Sequence, residues 1–172
     1  MHQLLSTVLP EGDASSFSTI HLHLDSFAPL TDKIIEAIKS IVVGHPLKFL
    51  INTHHHGDHT GGNENLGKGG TLIFSHDNVR ERLKNGSFIK AFNMKSAATA
   101  PEGLPVVIFS EGINLHINGD TVQAIHLAHA HTDGDSFIYF KGANVIHAGD
   151  IFFNGFYLFI DVGRGGSLQG TR

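Results

Sequence analysis

The feature that most constrains this chain is a histidine cluster in the stretch LINTHHHGDHTGG, residues 50 to 62. Four histidines and one aspartate fall within six positions, directly after a short apolar run. Side chains two residues apart on an extended chain point the same way, so His54 and His56 can bind one cation while the residue between them points away. A glycine then allows a sharp turn that would bring Asp58 and His59 to a second position. The spacing therefore favours a site for two metal ions.

A complete metal site needs ligands from elsewhere in the chain, since catalytic zinc takes three protein ligands and a water. The stretch AHAHTDGDS offers His131, which is followed by residues typical of turns, and His129 as its rival. Asp150 follows a glycine at the end of a predicted strand, and a carboxylate there can bridge two ions about 3.5–4 Å apart. His147 lies three residues earlier, on the predicted strand itself. The candidate ligands thus come from three separate parts of the sequence.

Composition limits the residue types that can bind a metal and the classes of partner that the chain can have. The chain has 172 residues, no cysteine and a formal net charge of −4 at pH 7. Without cysteine there can be no disulfide or thiolate ligand, so a metal must be held by histidine and carboxylate. This charge provides no broad basic surface, which argues against nucleic acid as a partner. The length suits a single domain over residues 1–172.

The N-terminal residues indicate no membrane association. They contain no basic segment followed by a long apolar stretch, and no run in the chain approaches the ~20 apolar residues that span a bilayer. We therefore expect a cytoplasmic protein. The oligomeric state is not indicated by the sequence.

The first half of the chain predicts alternating helices and strands. A helix with Thr31 as N-cap carries a stripe of isoleucines, and Gly44 and Pro46 end it. LKFLIN, residues 47–52, then predicts a buried strand that delivers the histidine cluster into a loop. The next strand is predicted at 71–74. It is followed by a short helix, HDNVRERLKN, and then by a loop, NMKSAATAPEGLP.

The second half predicts mostly antiparallel sheet. From Val106 onward apolar residues alternate with polar ones, and NGD marks the tight turn of a hairpin. SFIYF and NVIHAG predict two further strands. The stretch 150–161 is ambiguous between a strand and a packed loop.

Three motifs, THHHGDHTGG, AHTDGD and HAGD, resemble in their order and separation the metallo-β-lactamase superfamily of metal-dependent hydrolases. The resemblance extends from about Asp25 to Ser167. It implies an α/β fold in the form of a four-layer αββα sandwich with one or two Zn²⁺ ions at one sheet edge. It also implies that metal-bound hydroxide attacks a carbonyl or ester, because zinc lowers the pKa of its water to about 7.

The resemblance also implies a role for each matching residue. It assigns six ligands to two ions: His54, His56 and His131 to the first, and Asp58, His59 and Asp150 to the second, with Asp150 bridging. Asp58 is in addition the expected catalytic group, which would orient the nucleophile or carry its proton.

The sequence departs from the family pattern in its second metal site. Relatives usually supply a further histidine near the C-terminus, whereas no histidine follows His147 here. Relatives also continue beyond the position of Arg172 through another helix and strand. We therefore expect a member shortened at its C-terminus, with a complete first site and a weakened second one.

The family resemblance leaves three functions open. Phe153 stands where many lactamases carry a lysine for the substrate carboxylate, and Asp150 where some carry cysteine, which lowers the expectation of β-lactam hydrolysis. The first hypothesis is a zinc-dependent hydrolase of an amide, ester or thioester, β-lactamase-like or of broad specificity. The alternatives are a catalytically silent metal-binding domain and a glyoxalase II-like thioesterase.

Overall fold

A computed structural model describes residues 21–41, 47–89 and 93–171. Its first sheet is parallel throughout and has the strand order β1-β2-β3-β6. These strands are β1 (His21–Leu24), β2 (Leu47–Ile51), β3 (Leu72–His76) and β6 (Val107–Phe109). Because the strands are parallel, their carboxyl ends lie at one edge of the sheet, where the histidine cluster follows β2.

The second sheet is antiparallel, as predicted, and has the order β10-β9-β8-β7. Its strands are β7 (Gly112–Ile117), β8 (Asp120–His126), β9 (Ser136–Phe140) and β10 (Val145–His147). The turn between β7 and β8 places Asn118 and Gly119 at φ values of 51° and 74°, the left-handed pair that a two-residue hairpin requires.

Four α-helices, a small hairpin and four 3-10 turns of three residues each complete the described elements. The helices are α1 (Thr31–Ile41), α2 (Gly57–Thr60), α3 (Asn63–Lys68) and α4 (Asp77–Asn85), with β4 (Ser87–Ile89) and β5 (Met94–Ser96) forming the hairpin. The longest described helix, α1, has eleven residues, too few to cross a bilayer.

Most predicted elements agree with the structure to within one or two residues. The helix begins at Thr31, whereas its predicted end at Gly44 and Pro46 lies outside the described residues, as do residues 1–20. The predicted loop NMKSAATAPEGLP is wrong in part, because it contains β5 and a 3-10 turn, Pro101–Gly103. All three β5 residues are exposed, so the strand has no apolar alternation to reveal it.

Two apolar clusters hold the layers together. One lies between the sheets and joins Ile51, Phe74 and Phe109 of the first sheet to residues of the second, among them Val122 and Ile138. The other packs the outer face of the first sheet against helices, with Leu66 of α3 and Ile35 of α1 on Leu50 and Ile73. The packing order is therefore helices, parallel sheet, antiparallel sheet, which corresponds to three layers of the predicted sandwich.

The loop after β2 is fixed from both sides. Asn52 and Asn63 exchange two side-chain hydrogen bonds of 3.0 and 2.8 Å, which tie the strand end to α3. The Ser136 N–H, at the start of β9, donates to the Thr53 carbonyl at 2.9 Å. The histidine cluster therefore lies where the edges of both sheets meet.

Candidate metal centre

Three imidazole groups converge where the two sheet edges meet. His54 and His56 come from the loop after β2, and His131 from the loop between β8 and β9; all three are buried. The Nδ1 atom of His56 lies 3.2 Å from Nε2 of His54 and 3.0 Å from Nε2 of His131. A tetrahedral zinc ion with ordinary Zn–N bonds separates its nitrogen ligands by about 3.3 Å. The spacing of the three nitrogens is close to that value.

In His56 and His131, the hydrogen bond made by the outward-facing ring nitrogen determines whether the inward-facing nitrogen carries hydrogen. His56 Nε2 lies 3.2 Å from a carboxylate oxygen of Asp161, and His131 Nδ1 lies 2.6 Å from the Phe159 carbonyl. A carboxylate and a carbonyl can only accept hydrogen bonds, so both of these nitrogens must carry the hydrogen. His56 Nδ1 and His131 Nε2 of the neutral rings are then bare lone pairs that face each other.

In His54, the Thr53 hydroxyl determines which ring nitrogen carries hydrogen. Thr53 Oγ1 donates its one hydrogen to Asp25 Oδ2 at 2.8 Å, so toward His54 Nδ1, 3.1 Å away, it can only accept. His54 Nδ1 therefore carries the hydrogen, and its Nε2 also presents a lone pair to the centre.

Three lone pairs at this distance cannot hydrogen-bond to one another and need a cation between them. Protonation is a poor alternative, because burial and the neighbouring imidazoles hold the pKa of His54 well below its ordinary value. Burial, assisted by His131, also lowers the pKa of His56, although Asp161 acts in the opposite direction. A divalent metal that prefers imidazole fits this donor set.

A second group surrounds His59. Its Nδ1 lies 3.0 Å from Asp25 Oδ2, while its Nε2 faces Asp150 Oδ1 at 3.2 Å and Asp58 Oδ2 at 3.5 Å. Burial alone would lower the pKa of His59, but the carboxylates of Asp25, Asp150 and Asp58 raise it to about 12. The three carboxylates therefore favour the imidazolium form of His59. A metal cation held by Asp150 and Asp58 would replace its Nε2 proton, which gives a half-site of one nitrogen and two carboxylates.

Asp150 lies between the two groups. Its Oδ1 is in the second group, while its Oδ2 lies 3.8 Å from His131 Nε2 and 4.0 Å from His54 Nε2. The preceding Gly149 has φ 53°, and a Cβ there would meet the Thr53 side chain at 2.7 Å. Only glycine allows the chain to pass Thr53 this closely and present Asp150 to both groups.

The structure thus brings together all six residues that the sequence singles out, and it separates the two rivals for the third imidazole. His129 has φ 56°, and its Nδ1 hydrogen-bonds to the Gly165 carbonyl at 2.9 Å, away from the centre. His55, which was expected to point away, is buried beside His56 and Asp161, outside the two half-sites. Neither of its ring nitrogens has a hydrogen-bond partner in the described ranges.

Two aspartates that sequence analysis did not assign complete the centre. Asp25 accepts hydrogen bonds from the Thr53 N–H, the Thr53 hydroxyl, His59 and His147. Burial would raise the pKa of Asp25, but His59 and His147 hold it well below its usual range. Asp25 could have been identified, because it directly follows β1 at the carboxyl edge of the sheet. Asp161, 105 residues from His56, has no such signal.

Comparison with known proteins identifies the family. The model of the metallo-beta-lactamase superfamily matches residues 44–172. The chain belongs to this superfamily. The resemblance in its motifs is thereby confirmed. Members of the superfamily bind metal ions, and this chain has groups of histidine and aspartate that could hold one. None of the curated proteins compared with the chain matches it.

Solved structures of metallo-beta-lactamases confirm the fold. A Cronobacter sakazakii metallo-beta-lactamase with an HARLDQ motif has a TM-score of 0.70 at 16% identity, over 91% of this chain and 62% of its own. A Pontibacter korlensis metallo-beta-lactamase has a TM-score of 0.67 at 18% identity, over 90% and 66%. The B3 enzyme BLEG-1 has a TM-score of 0.70 at 18% identity, over 89% and 71%. The chain thus spans about two thirds of the length of these superfamily members.

Proposed function

We propose that this chain is a zinc-dependent hydrolase that cleaves an amide, ester or thioester bond in a small-molecule substrate. The proposal rests above all on the three converging lone pairs of His54, His56 and His131, which each hydrogen-bond network directs inward. His59, Asp58 and Asp150 would hold a second ion. Zinc bound by these residues supplies Lewis acidity and lowers the pKa of a water molecule to about 7.

Asp58 is the group best placed to handle a proton. Its side chain is 47% exposed, whereas the imidazoles beside it are buried, so it can reach both substrate and solvent. The hydrogen bond from His59 lowers the pKa of Asp58 as long as that ring nitrogen carries its proton, and an ordinary aspartate is in any case ionised near neutral pH. We therefore assign to Asp58 the acceptance of the proton of the attacking water and its delivery to the leaving group.

An exposed aromatic loop beside the centre favours a substrate that has an apolar group. Residues 151–158 leave the centre at Asp150 and return to it at Phe159, whose carbonyl holds His131. Within this loop Phe152, Phe156 and Tyr157 are 66%, 82% and 100% exposed. Large aromatic side chains exposed beside a buried polar centre are suited to bind an apolar acyl or ring group of the substrate.

Two alternatives have specific support. A catalytically silent metal-binding domain is favoured by the second half-site, in which the described residues contribute one imidazole and two carboxylates. A glyoxalase II-like thioesterase is favoured by the aspartate at position 150, which that group of enzymes shares. β-Lactam hydrolysis is the less expected reaction, since Phe153 stands in place of a substrate-binding lysine.

Elemental analysis combined with two substrates separates these functions. The purified chain is loaded with zinc, its zinc content is measured, and turnover of nitrocefin and of a thioester is assayed. Two zinc ions with turnover support the hydrolase, and preference for the thioester selects the thioesterase. One tightly bound zinc without turnover supports the silent domain.

Variants make the same experiment specific to the proposed ligands. His56→Ala should lose both the first zinc ion and turnover, while Asp58→Asn should keep the first ion and lose most of its turnover. His116→Ala is the matched control, because His116 is exposed on β7. Full activity in His56→Ala would contradict the proposal.

A further inference from the structure

The Thr53 hydroxyl is linked to both half-sites of the candidate centre, directly to the first and through Asp25 to the second. Its oxygen lies 3.1 Å from Nδ1 of His54, a ligand of the first group. It also lies 2.8 Å from Oδ2 of Asp25, the same oxygen that lies 3.0 Å from Nδ1 of His59 in the second group. One hydroxyl and one carboxylate thus connect the two groups.

The Asp25 carboxylate determines the direction of the hydrogen bonds that link His54, Thr53 and His59. The Asp25 carboxylate accepts from the Thr53 N–H through Oδ1, and its Oδ2 faces three possible donors, the Thr53 hydroxyl and the rings of His59 and His147. Surrounded by donors, this carboxylate acts as the acceptor, so the Thr53 hydroxyl donates to it and accepts from His54. His59 likewise donates from Nδ1 to Asp25. Both imidazoles are therefore held with hydrogen on Nδ1 and Nε2 facing the centre, the arrangement that metal binding through Nε2 requires.

Further contacts show that Thr53 is rigidly placed. It is almost fully buried, its own N–H donates to Asp25 Oδ1 at 2.7 Å, and its carbonyl accepts from Ser136 at 2.9 Å. Gly149 packs against its side chain. The hydroxyl therefore has one orientation available, and that orientation serves both groups.

We propose that Thr53 is a positioning residue for both half-sites, whose hydroxyl selects the His54 tautomer and orients Asp25 toward His59. This inference rests on the metal binding in the proposed function but not on catalysis. It distinguishes Thr53 from Asp161, whose side chain contacts only His56 of the first group.

Removing the hydroxyl should therefore lower the affinity of the protein for both metal ions. Thr53→Val keeps the shape of the side chain, leaves the His54 Nδ1–H without an acceptor and removes one donor from Asp25. We expect the affinity for each of the two zinc equivalents to fall at least tenfold, the usual scale for an outer hydrogen-bond partner of a ligand. Thr53→Ser retains the hydroxyl and should restore both affinities to within about threefold of the unaltered chain.

The test measures zinc binding by competition with a chromophoric chelator, with Co²⁺ absorption as a second readout and circular dichroism to confirm folding. If Thr53→Val and Thr53→Ser lose stability alike while both keep their zinc affinities, Thr53 is merely structural and the inference is wrong. It is also wrong if only one equivalent is weakened. A chain that binds no zinc contradicts the proposed function instead.

A measurement without any variant tests the tautomer directly. Nitrogen-15 NMR of the metal-free protein should show His54 with hydrogen on Nδ1 and a bare Nε2. This holds even if Thr53→Val does not fold or if the chain binds no metal. Hydrogen on Nε2 of His54 would overturn the inference.

Discussion

Asp161→Asn should lower the affinity for the first zinc ion and leave the affinity for the second nearly unchanged. Asp161 is 4% exposed, and its carboxylate accepts the hydrogen of His56 Nε2 at 3.2 Å, which leaves His56 Nδ1 facing the centre. Asparagine has nearly the same shape and keeps one acceptor, but it loses the negative charge. It can also turn its NH₂ group toward the ring, which would favour the wrong tautomer.

The size of the effect follows from this single bond. A hydrogen bond to a charged group contributes about 1.5–3 kcal/mol, and a neutral one about half as much. The substitution should therefore cost about 1–1.5 kcal/mol, which corresponds to roughly a tenfold loss of affinity. This agrees with the lower end of the range for hydrogen-bond partners of metal ligands.

Competition titration with a chelator measures the affinities for the first and the second zinc equivalent separately. We expect the first to weaken about tenfold and the second to change little, since Asp161 does not contact His59 or Asp150 in the described contacts. Asp120→Asn is the control, because Asp120 accepts backbone hydrogen bonds at the far end of β8. An unchanged first equivalent in Asp161→Asn would refute the tautomer argument.

Two further predictions concern stability. Gly67→Ala should cost about 1–3 kcal/mol in urea denaturation, because a Cβ there would strike the Glu102 carbonyl, whereas Gly57→Ala, with nothing within 4 Å, should be nearly neutral. His76 should contribute to acid instability, because burial and the stacked His126 ring lower its pKa. The unfolded chain then takes up a proton near pH 6.5 that the folded one refuses, so stability falls from pH 7.5 to 5.5. His76→Gln should show a smaller fall in the metal-free protein; an equal fall would contradict this assignment.

Hydrophobic period and turn residues were enough to predict the main elements of the fold. The β2 run and the alternation through Ile113, Leu115 and Ile117 are imposed by burial on one or both faces of a sheet, so the pattern is local. His126 shows the limit of that reasoning. It lies at the end of the alternating strand β8, and the alternation does not reveal that its ring stacks on His76 at 3.7 Å, a contact between elements far apart in sequence.

The candidate ligands could be predicted because they are concentrated in short motifs, whereas their partners could not. A metal ligand must lie within about 2 Å of a shared point, which forces recognisable spacing such as that of His54 and His56. A partner such as Asp161 needs only to reach one outward-facing nitrogen. Any acidic residue on any neighbouring segment can do that, so the sequence carries no spacing that would reveal it.

The first half-site draws His56 and His131 from the loops of two different sheets, 75 residues apart in the chain. A cation held by both would act as a cross-link, because it closes a long loop that the unfolded chain would otherwise leave free. Folding and metal supply are then linked: each tenfold rise in free zinc above the dissociation constant adds about 1.4 kcal/mol to the free energy of unfolding. Under the proposed zinc binding, this protein would become more susceptible to proteases in a cell poor in zinc.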